Sequence, residues 1–286
     1  WLDRAGNRLR AVPVPPGRYE KLYFAPDGQR LLAERRDSPT SVDLWMLDLA
    51  EGSAFRFTQG SQSRMGGKPA WSPDGRRIAF SSNRAGRTNI YQRRVDDTRE
   101  ESLLFDSNGQ FKEVLSWTPD GRFIVFEQAD PVTGWDLWLL PMEGKREPTP
   151  YLRSRFAELG GQVSPDGRWM VYTSDVSGKV EVYVRSFPEP GAEHRVSSAP
   201  GRGVWTRDGR EIIIQYLDDG GVWAVPVQTS PTFKAGTPRL LFRQRPEILW
   251  LASTPKGDRS LEASFIPTEQ PPSITVDLSL RGRNAR

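Results

Sequence analysis

The sequence predicts an all-β fold, a six-bladed β-propeller of four-stranded antiparallel blades, with seven blades as the alternative. Two observations predict it. A short turn motif recurs along the whole chain at a near-constant spacing, and the apolar strands around it recur in register with each copy.

The template copy is Pro69 to Tyr91. Lys68-Pro69-Ala70-Trp71 is a short apolar run that Ser72-Pro73-Asp74-Gly75 stops. Proline presets φ for the first corner of a type I turn, aspartate hydrogen-bonds its own backbone, and glycine takes the left-handed position that returns the chain antiparallel. Arg77-Ile78-Ala79-Phe80-Ser81 follows as a second strand, Asn83 to Thr88 turns the chain again, Asn89-Ile90-Tyr91 opens a third strand, and Leu103-Leu104-Phe105 supplies a fourth.

The other copies of the turn are Ala25-Pro26-Asp27-Gly28, Thr118-Pro119-Asp120-Gly121, Ser164-Pro165-Asp166-Gly167, Thr206-Arg207-Asp208-Gly209 and a worn Thr254-Pro255-Lys256-Gly257. Successive glycines lie about 42 to 48 residues apart, near the ~40–50 residues of one propeller blade. The third strands align as Asp43-Leu44-Trp45, Asn89-Ile90-Tyr91, Asp136-Leu137-Trp138, Glu181-Val182-Tyr183 and Gly221-Val222-Trp223. The turn aspartates are expected in equivalent hairpins between first and second strands.

These motifs, Ser/Thr-Pro-Asp-Gly-Arg before an apolar strand and Asn/Asp-Ile/Leu-Tyr/Trp after it, resemble the WD-repeat-like blades of TolB-like propellers over nearly the whole chain. The resemblance implies a propeller used as a periplasmic TolB-like scaffold, as the gating propeller of a prolyl-oligopeptidase-like or tricorn-like peptidase, or as the C-terminal sensor region of a bacterial membrane-anchored serine/threonine kinase. The ending Pro271-Pro272-Ser273-Ile274-Thr275-Val276 is most similar to the kinase-linked group, which implies an extracytoplasmic or periplasmic setting.

The ends of the chain complement each other. Trp1-Leu2-Asp3-Arg4 aligns with a third strand and Leu9-Arg10-Ala11-Val12 with a fourth, while Leu249-Trp250-Leu251-Ala252 and Leu261-Glu262-Ala263-Ser264-Phe265 supply a first and a second. Joining 1–14 to 247–280 makes one blade and removes open sheet edges, so residues 1–280 are read as a single, monomeric propeller domain. Leu9 to Val14 is expected to pair with the C-terminal strands. Ser273 to Leu280 either takes the third-strand place of Trp1 to Ala5 or lies outside it, and 281–286 is read as a disordered basic tail. A start inside a strand, without methionine, is expected of a piece of a longer protein.

Composition narrows the chemistry. The 286 residues are 36% hydrophobic and 10% aromatic, as many short strands packing flat faces require. Cysteine is absent, which excludes disulfides, thiolate metal sites and a cysteine nucleophile. The net charge is +4, yet Arg76-Arg77, Arg93-Arg94 and Arg153/Arg155 are spread over different blades and interleaved with Asp96, Asp97, Glu100 and Glu101, which argues against a nucleic-acid face. No run of about 18 apolar residues is present to span a membrane.

Catalytic motifs are likewise missing. The single histidine, His194, falls in an outer fourth strand, and the chain has no Gly-x-Ser-x-Gly elbow, glycine-rich nucleotide loop, His-Arg-Asp or Asp-Phe-Gly. The chain is therefore read as non-catalytic and without cofactor or metal; the turn aspartates and Asp218-Asp219 are explained as turn formers. What remains is the rim of the central channel, where the loop entering each innermost strand places Tyr19/Glu20, Arg64/Lys68, Lys112/Glu113, Phe156/Glu158, Arg202 and Glu247. This ring of mixed sign with two aromatics suits a protein or peptide partner. Outer-edge arginines such as Arg56, Arg195 and Arg239 are expected to be dispensable by comparison.

Overall fold

Four of the predicted turns close on one buried hydroxyl. In the computed structural model, which describes residues 2–3, 5, 7, 9, 14–15, 17–38, 41–58, 69–97, 101–106, 111–244, 248–253, 259–265 and 274–275, Thr118 Oγ1 donates to Asp120 Oδ1 at 2.5 Å and accepts the Phe123 amide at 3.0 Å. Asp120 Oδ1 also accepts the Arg122 amide at 3.0 Å, and the Gly121 amide bonds back to the Thr118 carbonyl at 2.9 Å. Gly121 stands at φ 76°, where a side chain would be strained. Ser72, Ser164 and Thr206 repeat the hydroxyl-to-carboxylate bond at 2.5, 2.6 and 2.7 Å. In the first copy, where Ala25 has no hydroxyl, Asp27 instead takes the Gln29 and Arg30 amides and the Arg30 guanidinium. Asp27, Asp74, Asp120, Asp166 and Asp208 thus occupy equivalent first-to-second strand hairpins, as the sequence predicts.

Two compact units make up the chain, 1–64 with 241–286 and 65–240. In the first, Arg18–Phe24, Arg30–Ser38, Ser41–Asp48 and Ser53–Arg56 form an antiparallel meander. A second sheet there has Arg259–Phe265 paired to Ile248–Ser253 on one side. Its other side is shared: Leu2–Asp3 pairs with Ser260 and Arg259, and Ile274–Thr275 with Phe265 and Ser264. The two chain ends therefore divide the third-strand place instead of competing for it. The N-terminal segment that pairs is Leu2–Asp3; the expected Leu9–Val14 strand falls largely outside the described residues, as do the worn turn at 254–257 and the 281–286 tail.

The second unit holds the meanders of Ala70–Trp71, Arg77–Ser82, Asn89–Arg94 and Glu101–Phe105; of Lys112–Trp117, Phe123–Asp130, Gly134–Pro141 and Thr149–Leu152; and of Glu158–Val163, Trp169–Ser174, Glu181–Ser186 and His194–Arg195. Its last sheet runs Gly201–Trp205, Glu211–Tyr216, Gly221–Gln228 and Lys234–Ala235, with Arg239–Arg243 also paired to Gly221–Gln228.

The predicted blade count is thereby corrected. The fold is an all-β propeller with five four-stranded antiparallel blades, not six or seven such blades, and the remaining sheet carries five strands. Its physical cause is the mismatch of strand lengths. Lys234–Ala235 covers only Val227 and Gln228 of an eight-residue strand, and an uncovered edge recruits another segment.

Side chains between sheets make the core of the second unit. Ala79, Ile90 and Leu104 pack with Val114, Trp117, Ile124 and Phe126 from the next sheet. Val125, Leu137 and Leu139 meet Val163, Met170 and Tyr172, and Val171, Val182 and Val184 meet Trp205, Ile212 and Ile214. The innermost strand Gly201–Trp205 approaches the third strand of the preceding sheet closely enough that a Cβ on Gly203 would lie 2.6 Å from Val182. Among the described residues, no helix is long and apolar enough to cross a membrane.

Removing one turn hydroxyl leaves an amide without its acceptor inside a buried corner. Thr118→Ala is expected to lower unfolding free energy by about 1–3 kcal/mol, and Thr118→Ser to recover most of it, both measured by urea denaturation.

Candidate functional site

A polar seam runs along one end of the second unit, where each segment that crosses to the next innermost strand touches the neighbouring second-to-third strand loops. Between the sheets of 112–152 and 158–195 this segment is 153–157. Arg153 Nη2 reaches Asp130 Oδ2 at 3.0 Å, and its Nε lies 3.6 Å from Asp136 Oδ2. Ser154 Oγ donates to Glu158 Oε1 at 2.5 Å and accepts the Phe156 amide at 3.0 Å. The Ala157 amide donates to Asp175 Oδ1 at 2.9 Å. Further along, the Gly201 amide donates to the Val180 carbonyl at 3.1 Å and the Leu217 amide to the Pro200 carbonyl at 2.9 Å.

Two carboxyl groups at this seam are buried. Asp136, 0% exposed, receives the Thr133 hydroxyl at 2.7 Å, and Glu158 is 5% exposed. Burial pushes both above their ordinary values, against the hydrogen bonds from Thr133 and Ser154, and the Asp136 and Asp175 charges raise Glu158 further. Enclosure of this kind keeps the pair from reaching a substrate. No group of three or more histidine or acidic side chains is placed to hold a metal ion among the described residues.

The predicted rim residues differ in setting. In the first unit Tyr19 is fully buried with its hydroxyl on the Pro15 carbonyl at 2.9 Å, and Glu20 is clamped by Arg36 at 2.7 and 2.9 Å, which holds its carboxyl below the usual range. In the second, Lys112 is fully buried with Nζ 3.2 Å from the Thr88 carbonyl, and burial lowers its ammonium to about 8. Glu113 is half-buried, Arg202 is exposed opposite Gln215, and Phe156 is half-buried with the Arg155 guanidinium 4.9 Å over its ring. The structure brings Phe156 and Glu158 together with Asp130, Asp136, Ser154 and Asp175, none of which the loop rule selects. Arg64, Lys68 and Glu247 lie outside the described residues.

Surface apolar groups join this end. Val132, Val180 and Leu217 occupy the second-to-third strand loops of three successive sheets and are 87%, 38% and 53% exposed. His194 is elsewhere, in its fourth strand, packed between the rings of Trp169 and Phe233.

Two of the outer arginines have a defined structural task. Arg56 is paired with the buried Asp43, and Arg195 with the buried Glu181 at 3.4 Å, as Arg153 is with Asp136. Each reaches from the fourth-strand side to the acid that opens the third strand. Sequence registers could have revealed this, because Asp43/Arg56, Asp136/Arg153 and Glu181/Arg195 recur at similar separations of 13 to 17 positions.

Two outcomes are expected. Arg195→Glu should destabilise the fold by more than about 1 kcal/mol, because it sets two carboxylates together at a buried position, whereas Lys145→Glu on an exposed loop should change it by less than about 0.5 kcal/mol; thermal melts compare the two. For Glu158, a raised value in the folded state means stability that is full below its unfolded value and lost as pH rises through the folded one. Glu158→Gln should therefore raise the melting temperature near pH ~7 and leave it unchanged near pH ~3.5.

Known proteins share this architecture. The TolB beta propeller domain family matches residues 8–134. The uncharacterized peptidase YuxL of Bacillus subtilis is 25% identical over 208 residues, 56% of this chain and 31% of that protein. The chain spans less than a third of the length of the curated relatives it matches. A solved structure from Agrobacterium tumefaciens assigned as TolB superposes with a TM-score of 0.69 at 19% identity over 88% of this chain and 91% of that one. TolB from Acinetobacter baumannii gives 0.62 at 17% identity over 79% and 58%. Residues 8–134 thus carry a TolB-type propeller signature, and the fold likeness extends that architecture along most of the chain.

Proposed function

We propose that the chain is a non-catalytic, protein- or peptide-binding propeller module acting outside the cytoplasm. The observation that carries this reading is the end of the second unit that gathers the exposed Val132, Val180 and Leu217 beside Phe156, Arg155 and Arg202. Isolated apolar side chains on a surface are ordinary, but three at matching loops of successive sheets, at the end that also carries an aromatic ring and exposed charges, suit recognition better than chance exposure. A rigid sheet scaffold presents such loops without a cost of ordering. The similarity to TolB propellers supports a scaffold role in the same setting.

A second reading, a substrate-gating propeller working beside a separate peptidase domain, is favoured by the 208-residue similarity to the Bacillus peptidase. The peptidase relative and the TolB structures lend the kinase-sensor expectation no support.

The test is selection of a displayed peptide library on the purified propeller, followed by affinity measurement on variants. Val132→Asp with Leu217→Asp, and separately Arg155→Glu with Arg202→Glu, should each weaken a selected peptide by about tenfold or more. Lys145→Glu, Arg210→Glu and Lys234→Glu together, all exposed and away from this end, should leave it unchanged. Equal loss from every set would refute a dedicated binding end.

A further inference from the structure

Lys112 and Glu158 open the innermost strands of successive sheets and hold equivalent registers, Lys112 opposite Gln128 and Glu158 opposite Ser174. Each faces the start of the third strand in the preceding sheet. There Lys112 meets the backbone carbonyl of Thr88, next to the neutral Asn89 and within reach of the Asp106 charge. Glu158 lies under the charge of Asp136 instead. One inter-sheet junction therefore joins a cation to a neutral amide, and the next joins two buried acids.

The second junction is short of both donors and positive charge. Asp136 Oδ1 and Glu158 Oε2 are buried with no hydrogen-bond partner among the described residues. Glu158 takes the Ser154 hydroxyl and feels the charges of Asp136, Asp175 and Arg185; Asp136 takes the Thr133 hydroxyl, lies near Arg153, and is influenced by the Ser154 amide and the Asp130 charge. Arg185 is engaged by Glu193 at 3.0 Å, and Arg153 divides itself between Asp130 and Asp136. Four carboxyl groups thus share one arginine and part of another. Two ionised carboxylates enclosed together, each with an orphan oxygen, are costly, and one proton converts an orphan acceptor into a donor.

We propose that Asp136 and Glu158 share a single proton, and that this proton latches segment 153–157, making the binding end around Phe156 responsive to pH. Ser154 couples the pair to the segment because its amide faces Asp136 and its hydroxyl bonds Glu158. Phe156 follows because its own amide is held by the Ser154 hydroxyl. Loss of the proton to solvent leaves two carboxylates that repel across Ser154, and the segment loosens. The regulatory part of this inference rests on the binding role assigned to that end; the latch itself does not.

Hydrogen–deuterium exchange on the free protein, corrected for the intrinsic pH dependence of exchange, tests it. The 153–158 amides should lose about tenfold or more in protection between pH ~4.5 and pH ~8, while the 175–180 and 196–200 segments change little. Glu158→Gln and, independently, Asp136→Asn should abolish that difference, with Glu158→Gln keeping the low-pH protection throughout. Protection that is flat with pH in the wild type, or a difference that survives in both variants, would overturn the shared proton. Restoration of protection at pH ~8 by millimolar calcium or manganese would overturn it in favour of a cation. A selected peptide whose affinity ignores pH while the segment responds would remove the regulatory role and leave the latch, and failure to select any peptide would bear on the binding reading alone.

Discussion

A hydroxyl buried in a tight turn is the smallest unit on which this architecture depends. It has to give its proton to the aspartate two positions on and accept the amide five positions on, so the turn admits serine or threonine, aspartate and a left-handed glycine in fixed order. With that corner closed, the first two strands of a sheet leave in register, and the residues that follow are committed to one face or the other. The copy built on Ala25 shows the constraint from the other side. Asp27 there recruits the Arg30 side chain to do what the missing hydroxyl does elsewhere.

A second recurrent device sits at the opposite edge of three of the sheets. The acid opening a third strand is buried and tied to an arginine from the fourth-strand side, in the pairs Asp43–Arg56, Asp136–Arg153 and Glu181–Arg195. The acids are enclosed and the arginines half in solvent, so each pair has one desolvated member whose charge depends on its partner. Short outer strands need such an anchor, since Thr149–Leu152 and His194–Arg195 offer few ladder hydrogen bonds of their own. At the seam near Phe156 this structural device and the candidate site coincide. Arg153 must serve both the third-strand acid and Asp130, and the charge it cannot supply is what leaves Asp136 and Glu158 under-compensated.

Repeats make a protein legible because one physical solution is written several times, and differences between copies then carry information. Equivalent positions hold Lys112 in one sheet and Glu158 in the next, with Asn89 and Asp136 facing them. Packing alone would accept the same residue in both. The inversion of charge therefore distinguishes a buried cation at one junction from buried acids at the next, and the acidic junction lies at the end where recognition is placed.

The amino-acid sequence by itself determined the all-β class, the turn positions and the strand order within each repeat, because these rest on local chemistry: hydroxyl, carboxylate and glycine within a few residues, and alternation along single strands. It also pointed to the loops that hold Phe156 and Glu158. Tertiary structure alone decided the rest. Strand count in the last sheet turned on how much of Gly221–Gln228 a short neighbour could cover, and the ends of the chain share one strand position because each is only two residues long in its pairing. Exposure of the rim residues was equally invisible, since Tyr19 and Lys112 lie in loop-to-strand positions like that of Arg202 yet point into packed interiors. Burial depends on what a neighbouring sheet brings to within contact distance, and no spacing within one chain segment encodes that.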